Sequence, residues 1–277
     1  MGSRLYTARM TERVRISFEG GLGYLTLSRP DKHNGMDVPM LRDVVRAQRQ
    51  LRKRRELRAL IVHGDGPSFC SGIDVKSFMG DRWVAALSMS RLFSPARNLF
   101  QAWSLGFREL AVPVIAAIHG NCFGAGIQLA LGADIRFATP DAKLSIMEAR
   151  LGLVPDMGGP TLLRELIPID RAKELTMTGR IVSGSEALAL GLVTHVSADP
   201  LASARELARE IEARSPDSVA AAKFLLQSAW HASESDALGH ERRYQRLVIG
   251  RKNQRLAALG NQKRDSAVHY VARRIDS

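Results

Sequence analysis

The chain of 277 residues carries 25% charged and 45% apolar residues, which excludes a disordered polymer and leaves length for one large domain or a core with an appendage. Its formal net charge of +12 favours polyanions at the surface, whether nucleic acid, acidic lipid or a phosphate-bearing cofactor. No apolar run reaches the ~20 residues of a membrane helix and MGSRLYTARMTER lacks a signal-peptide core, so a cytoplasmic protein with no membrane partner is expected, its two cysteines, Cys70 and Cys122, reduced and buried.

Val14 to Phe18 and Tyr24 to Ser28 alternate as strands around Gly20, Gly21 and Gly23, which predicts a β-hairpin. RPDKHNG at 29–35 is a turn; Asp37 then stands at an N-cap, Pro39 in the first helical turn, and a helix runs to about Arg54. Leu41, Val44, Val45, Gln48 and Leu51 take its inner side. Arg42, Arg46, Arg49 and Lys53 lie along the opposite face, a solvated surface in the simplest reading and a strip for RNA or another polyanion in the alternative one. RALIVH at 58–63 is a buried strand that runs into GDGPSFCSGID at 64–74. A helix follows from Val75, and Trp83 to Leu110 reads as mostly helical with a break at Pro95.

Pro113 to Ile118 is a strand buried on both faces, interrupted by Gly120, Gly124 and Gly126 before the helical run Gln128 to Leu131. Glycine admits positive φ and close approach, and the free N–H groups of a helix start can hold an anion or a developing oxyanion; a plain strand-to-helix turn fits these residues equally well. Lys143 to Ile146 is a short strand, Glu148 to Leu151 a helical turn, and Gly152 to Pro160 a glycine-rich connection. Helices follow at Thr161–Ile167, Ile169–Thr178 and Ser183–Leu190, with a last strand at Val193–Val196. Beyond Asp199 the pattern is helical only: Leu201–Arg214, Val219–Ala232, and Ser235 to about Leu259. A boundary near Ala198 therefore divides an α/β core, 1–198, from a helical region, 199–277.

Three segments in this order, FCSGID at 69–74, HGNCFGAGIQLA at 119–130 and IMEARLGLVPDMGG at 146–159, together with the opening LSRPDKHNG, resemble the crotonase superfamily of enoyl-CoA hydratases and isomerases over nearly the whole chain. The resemblance implies an α/β spiral of ββα units followed by C-terminal helices that build a homotrimer or hexamer. It implies a lyase or isomerase of fatty acid metabolism, of the β-oxidation type, acting on an unsaturated acyl-CoA. An oxyanion hole is implied at the backbone N–H groups of Ile73 and Ala125, where donors are worth on the order of 3 kcal/mol each. No cofactor or metal is implied, because coenzyme A enters as part of the substrate.

The catalytic positions depart from the hydratase pattern. The first glutamate position of the hydratases matches Gln128, the second matches Glu148, and Asp156 matches an aspartate that dienoyl-CoA isomerases use. An amide exchanges no proton near neutral pH, so Glu148 is the principal acid/base and Gln128 a residue that orients water or the acyl group. Glu148 and Asp156 on two sides of an acyl chain would shift a double bond; Glu148 capping a helix, or Asp156 pairing with Arg150 or Arg164, are the structural alternatives. The resemblance sets coenzyme A near Arg29, Lys32, Ser71, Asp74 and Lys76, with Arg251, Lys252 and Lys263 as further cations. Hydration and isomerisation both remain open, and a dienoyl-CoA or Δ3,Δ2-enoyl-CoA isomerase without hydratase activity is the alternative. An RNA-binding or non-catalytic acyl-CoA-binding homologue is the alternative of another class, with nucleic acid the disfavoured partner. No nucleophile elbow, P-loop or zinc spacing occurs, and a buried thiol is a commoner use of Cys70 than a nucleophile beside His63 or His119.

Overall fold

A computed structural model describes residues 6–7, 13–79, 96–262 and 268–276. The sequence reading of Trp83–Leu110 lies partly outside these residues, and Pro95 and Lys263 lie wholly outside them.

The predicted hairpin forms from β2 (Val14–Glu19) and β3 (Leu22–Leu27), turning at Gly20 with φ +61°. A short strand, β1 (Tyr6–Thr7), pairs antiparallel with the outer side of β2. From β3 onward the pairing is parallel, through β4 (Ala59–Gly64), β5 (Val114–Ile118), β7 (Ile135–Ala138) and β10 (His195–Val196). The resulting seven-stranded order is β1-β2-β3-β4-β5-β7-β10. A second, three-stranded sheet joins β6 (Asn121–Phe123), β8 (Lys143–Ser145) and β9 (Val182–Ser183). The strand β6 is not legible from the glycine-rich sequence that contains it.

The apolar runs of β4 and β5 are continuous because both faces are covered. Leu60, Val62, Val114 and Ala116 point into one core, with Met40, Leu41 and Val44 of helix α1 (Val38–Arg52). Ala59, Ile61, Ile115 and Ala117 point into another, closed by Ala204 and Ala208. Those two alanines belong to the helix Pro200–Glu212, so the first helix beyond Ala198 is a layer on the far face of the core sheet. Glu212 reinforces this by accepting the Gly21 N–H at 2.9 Å.

The start of α1 is as the sequence predicts: Asp37 accepts the Met40 N–H at 2.8 Å, and Pro39 sits in the first turn. Gln48 faces inward and donates to the Trp103 carbonyl at 2.8 Å. Arg42, Arg46, Arg49 and Lys53 are exposed, with Arg46 reaching back to Asp43 at 3.2 Å.

The predicted single helix from Ser235 to about Leu259 is two helices, Glu234–Val248 and Lys252–Gln262. Gly250, at φ +71°, turns the chain between them, and the apolar spacing of either half carries no mark of the break. A small third core of Ala220, Ala221, Phe224, Val248 and Ile275 joins the helix Glu234–Val248 to the preceding helix. They are tied to the sheet by Lys223, buried in the helix Pro216–Ala229, whose Nζ donates to the Phe107 and Val112 carbonyls and to Asp134 at 3.1, 3.0 and 2.8 Å.

Candidate active site

The two glycine-bearing turns are strapped side by side. Cys70 pairs in parallel with Cys122; the Cys70 N–H donates to the Asn121 carbonyl and the Phe123 N–H to the Cys70 carbonyl, both at 3.0 Å. Such close approach needs glycine, since a Cβ at Gly126 would lie 2.3 Å from the Cys70 oxygen. On its other side the first turn is held by the Met36 N–H donating to the Gly72 carbonyl at 2.7 Å and the Asp74 N–H donating to the Met36 carbonyl at 2.9 Å. Ile73 lies between them. Ala125 opens the helix Ala125–Leu131, where a first-turn amide has no intrahelical acceptor. Among the described residues neither the Ile73 nor the Ala125 N–H meets a protein acceptor. The Trp103 indole N–H donates to the Ala125 carbonyl at 2.8 Å and fixes that residue from behind.

Gln128 lies three residues into the same helix, buried, and faces Glu148, which opens the 3₁₀ turn Glu148–Leu151. The Gln128 Nε2 donates to Glu148 Oε1 at 2.6 Å, and Gln128 Oε1 accepts the Met157 and Gly159 N–H groups, each at 3.0 Å. Both ends of this amide are thus engaged by protein: the carbonyl oxygen accepts two N–H groups, and the second N–H of Nε2 is the group left to orient water or an acyl group. Glu148 Oε2 is buried and, among the described residues, has no partner. The carboxyl borders the second turn, since a Cβ at Gly124 would lie 3.6 Å from Glu148 Oε1. Burial raises the Glu148 pKa; its own backbone amide and the Gln128 hydrogen bond oppose the rise, and the charge of Asp156 adds to it.

Asp156 stands in the connection after that turn, on the exposed side, and desolvation raises its pKa as well. Among the described residues it forms no ion pair with Arg150 or Arg164. The role of Gly159 is not legible in the sequence: a Cβ there would lie 2.7 Å from Gln128 Oε1.

The residues set near coenzyme A divide by their surroundings. The Arg29 guanidinium donates to Asp74 at 2.9 Å and to the Gly35 carbonyl at 2.7 Å, so these two expected ligand contacts hold each other and brace the first turn. Burial pushes the Asp74 carboxyl up, but the Arg29 hydrogen bond, the Ser77 N–H and the charges of Arg29 and Lys32 hold it below its ordinary value. The Ser71 hydroxyl reaches the Lys32 carbonyl at 3.4 Å. Lys32 and Lys76 are exposed beside the turn, and Arg251 and Lys252 are exposed at the helix break.

Thiol chemistry is closed off. Burial pushes the Cys70 thiol up to about 12 and the Cys122 thiol well above its usual value. His63 is bonded to the Thr26 hydroxyl at 2.9 Å with its pKa lowered by burial, and His119 meets the Gly66 carbonyl. No group of three or more metal-ligating side chains occurs among the described residues.

A twisted sheet closed by helices on both faces, with two strapped turns offering free amides beside a buried glutamate, defines a crotonase-fold enzyme. The comparisons agree with the geometry. Residues 17–263 match the enoyl-CoA hydratase/isomerase family model, and the chain belongs to that family. YngF of Bacillus subtilis strain 168, a candidate enoyl-CoA hydratase/isomerase, is 33% identical over 251 residues, 90% of this chain and 94% of its own. A carnitinyl-CoA dehydratase of Salmonella enteritidis is 36% identical over 222 residues, 79% of this chain and 82% of its own. Among solved structures, an enoyl-CoA hydratase from Polaromonas sp. JS666 superposes with a TM-score of 0.84 at 27% identity, covering 94% of this chain and 100% of its own. That of Mycobacterium tuberculosis H37Rv gives 0.82 at 27% identity, covering 94% and 99%. The protein is therefore an enzyme of the lyase or isomerase type, and no helix among its described residues is long and apolar enough to cross a membrane.

Proposed function

We propose that the chain moves a double bond in an unsaturated acyl-CoA, with Glu148 as the acid/base and the Ile73 and Ala125 N–H groups as the oxyanion hole. The observation that carries this reading is the pairing of one buried carboxylate oxygen, Glu148 Oε2, with two amides on adjoining turns, all three without a protein partner among the described residues. In the step proposed, Glu148 takes a proton from C2 of a 3-enoyl thioester. The electron pair left behind delocalises onto the thioester oxygen, where the two amides receive the charge, each worth about 3 kcal/mol in a dry site. Glu148 then returns the proton to C4, so the double bond moves from C3=C4 to C2=C3 and the composition is unchanged. One carboxylic group suffices for both transfers. Asp156 would act as a second acid/base on a longer, 3,5-dienoyl substrate.

Hydration or dehydration is the second reading, favoured by the likeness to a carnitinyl-CoA dehydratase. Lys32 and Lys76 would meet the coenzyme A phosphates, with Arg29 and Asp74 supporting the turn that carries them. The exposed Leu226, Trp230, Leu238, Leu247 and Leu259 on the C-terminal helices support assembly as a homotrimer or hexamer, since so much apolar surface calls for a cover.

The purified protein incubated with 2-enoyl-, 3-enoyl- and 3,5-dienoyl-CoA should return products of unchanged mass with a shifted chromophore from the last two. A mass gain of one water on 2-enoyl-CoA, without isomerisation, would replace this reading by the second. Asp156→Asn should lower turnover of 3,5-dienoyl-CoA by about a hundredfold. Dienoyl turnover at the wild-type rate would remove Asp156 from the machinery.

A further inference from the structure

We infer that Gln128 is a positioning residue for Glu148: strapped by the Met157 and Gly159 amides, it ties down Oε1 and leaves Oε2 as the oxygen that meets substrate. This rests on Glu148 being the acid/base. The orientation of a glutamine amide is ordinarily ambiguous, but here two backbone N–H groups converge at 3.0 Å on one end, which must be the carbonyl. A flipped amide would set its NH2 group against both of them. The other end is therefore a donor, and it lies 2.6 Å from Glu148 Oε1.

Three consequences follow from that donor. Oε1 must accept, so a proton carried by Glu148 resides on Oε2, the oxygen without a partner among the described residues. The bond favours the ionised carboxylate and counters the burial that raises its pKa, keeping the base available at lower pH than an apolar neighbour would allow. The strap also fixes the carboxylate plane, because Gln128 is 1% exposed and held at both ends, so neither group can swing away. Among the described residues the charged group acting on Glu148 is Asp156, which pushes the same pKa upward; Gly124 and Gln128, which also face the carboxyl, are neutral.

A glutamate at this place would behave differently. Its carboxylate would still accept the Met157 and Gly159 amides, but two carboxyl groups at this separation cannot both ionise and would share a proton. Glutamine removes that competition and leaves a single titrating group at the centre of the site.

The test compares Gln128→Met and Gln128→Glu with the wild type in two ways: infrared titration of the Glu148 carboxyl in the ligand-free protein, its band assigned by its absence in Glu148→Gln, and kcat and KM for a 3-enoyl-CoA across pH. In Gln128→Met the protonated band should persist to higher pH, kcat at pH ~6 should fall about tenfold and recover at pH ~9, and KM should change less than about threefold. In Gln128→Glu a protonated carboxyl should remain at neutral pH. A loss of kcat equal at every pH, or an infrared titration of Glu148 matching the wild type in the folded variants, would overturn the assignment. If Gln128→Met fails to fold because the two amides lose their acceptor, Gln128→Glu, which keeps it, decides. If the wild type turns over no enoyl-CoA the proposed reaction fails, while the infrared arm still judges the positioning role.

Discussion

Glu148→Gln should lower turnover of enoyl-CoA substrates by about ten-thousand-fold, leave acyl-CoA affinity within a few-fold, and raise the thermal midpoint near neutral pH. The loss in rate follows from removing the group that exchanges the proton. Binding survives because the Ile73 and Ala125 amides and the coenzyme A surface lie on other segments. The gain in stability comes from the same burial that suits the residue to its task. Glu148 has a raised pKa in the folded protein, so its ionised form is penalised there relative to the unfolded chain. With a raised folded-state pKa, its contribution is most favourable below the unfolded value and is lost as pH climbs through the folded one. Glutamine pays no such penalty, since its carbonyl can accept the Gln128 N–H in place of Oε1. The difference in midpoint between the variants should therefore be largest near neutral pH and shrink in acid, where Glu148 is itself neutral. Calorimetric scans at several pH values read this directly. A midpoint that falls on substitution, or turnover close to wild type, would remove Glu148 from the role proposed for it.

What could be read from the sequence follows the physics of each segment. Continuous apolar runs such as RALIVH and PVIAAI announce strands covered on both faces, and Asp37 and Pro39 announce a helix start, so these main elements were legible while the short strands β1, β6 and β9 were not. The three motifs gave the family as well as the segments that meet at the site. Side-chain hydrogen bonding was not legible. Nothing in the letters indicates that Arg29 and Asp74 pair with each other, or that Gln128 is caught between Glu148 and two amides, because those contacts join residues 45 and 20 to 31 positions apart. Gly250 was likewise silent, as the helical spacing on both sides of it is sound and the break depends on a single positive φ.

Gly126→Ala should damage both the stability of the protein and the geometry of the site. The new Cβ would stand 2.3 Å from the Cys70 carbonyl oxygen and 2.9 Å from the Cys70 Cβ, and neither is the end of a flexible side chain. The two turns would have to part, weakening the Cys70–Asn121 and Phe123–Cys70 hydrogen bonds that strap them, both 3.0 Å in the native protein. Overpacking and those two bonds together predict a destabilisation of about 3 kcal/mol or more. Parting the turns also changes the spacing between the Ile73 and Ala125 amides, so at temperatures where the variant remains folded kcat should still fall by about a hundred- to a thousandfold, the cost of one misplaced oxyanion donor. Gly250→Ala supplies the contrast. It places a methyl group where nothing lies within 4 Å, at φ +71°, on the remote C-terminal helices. Its cost should be about 1 kcal/mol of backbone strain with kcat unchanged. Measuring the thermal midpoint and kcat of both variants separates general destabilisation from damage to the paired amides. If Gly126→Ala, folded, turns over at the wild-type rate, then the spacing of Ile73 and Ala125 does not govern the reaction and the oxyanion hole must be sought elsewhere.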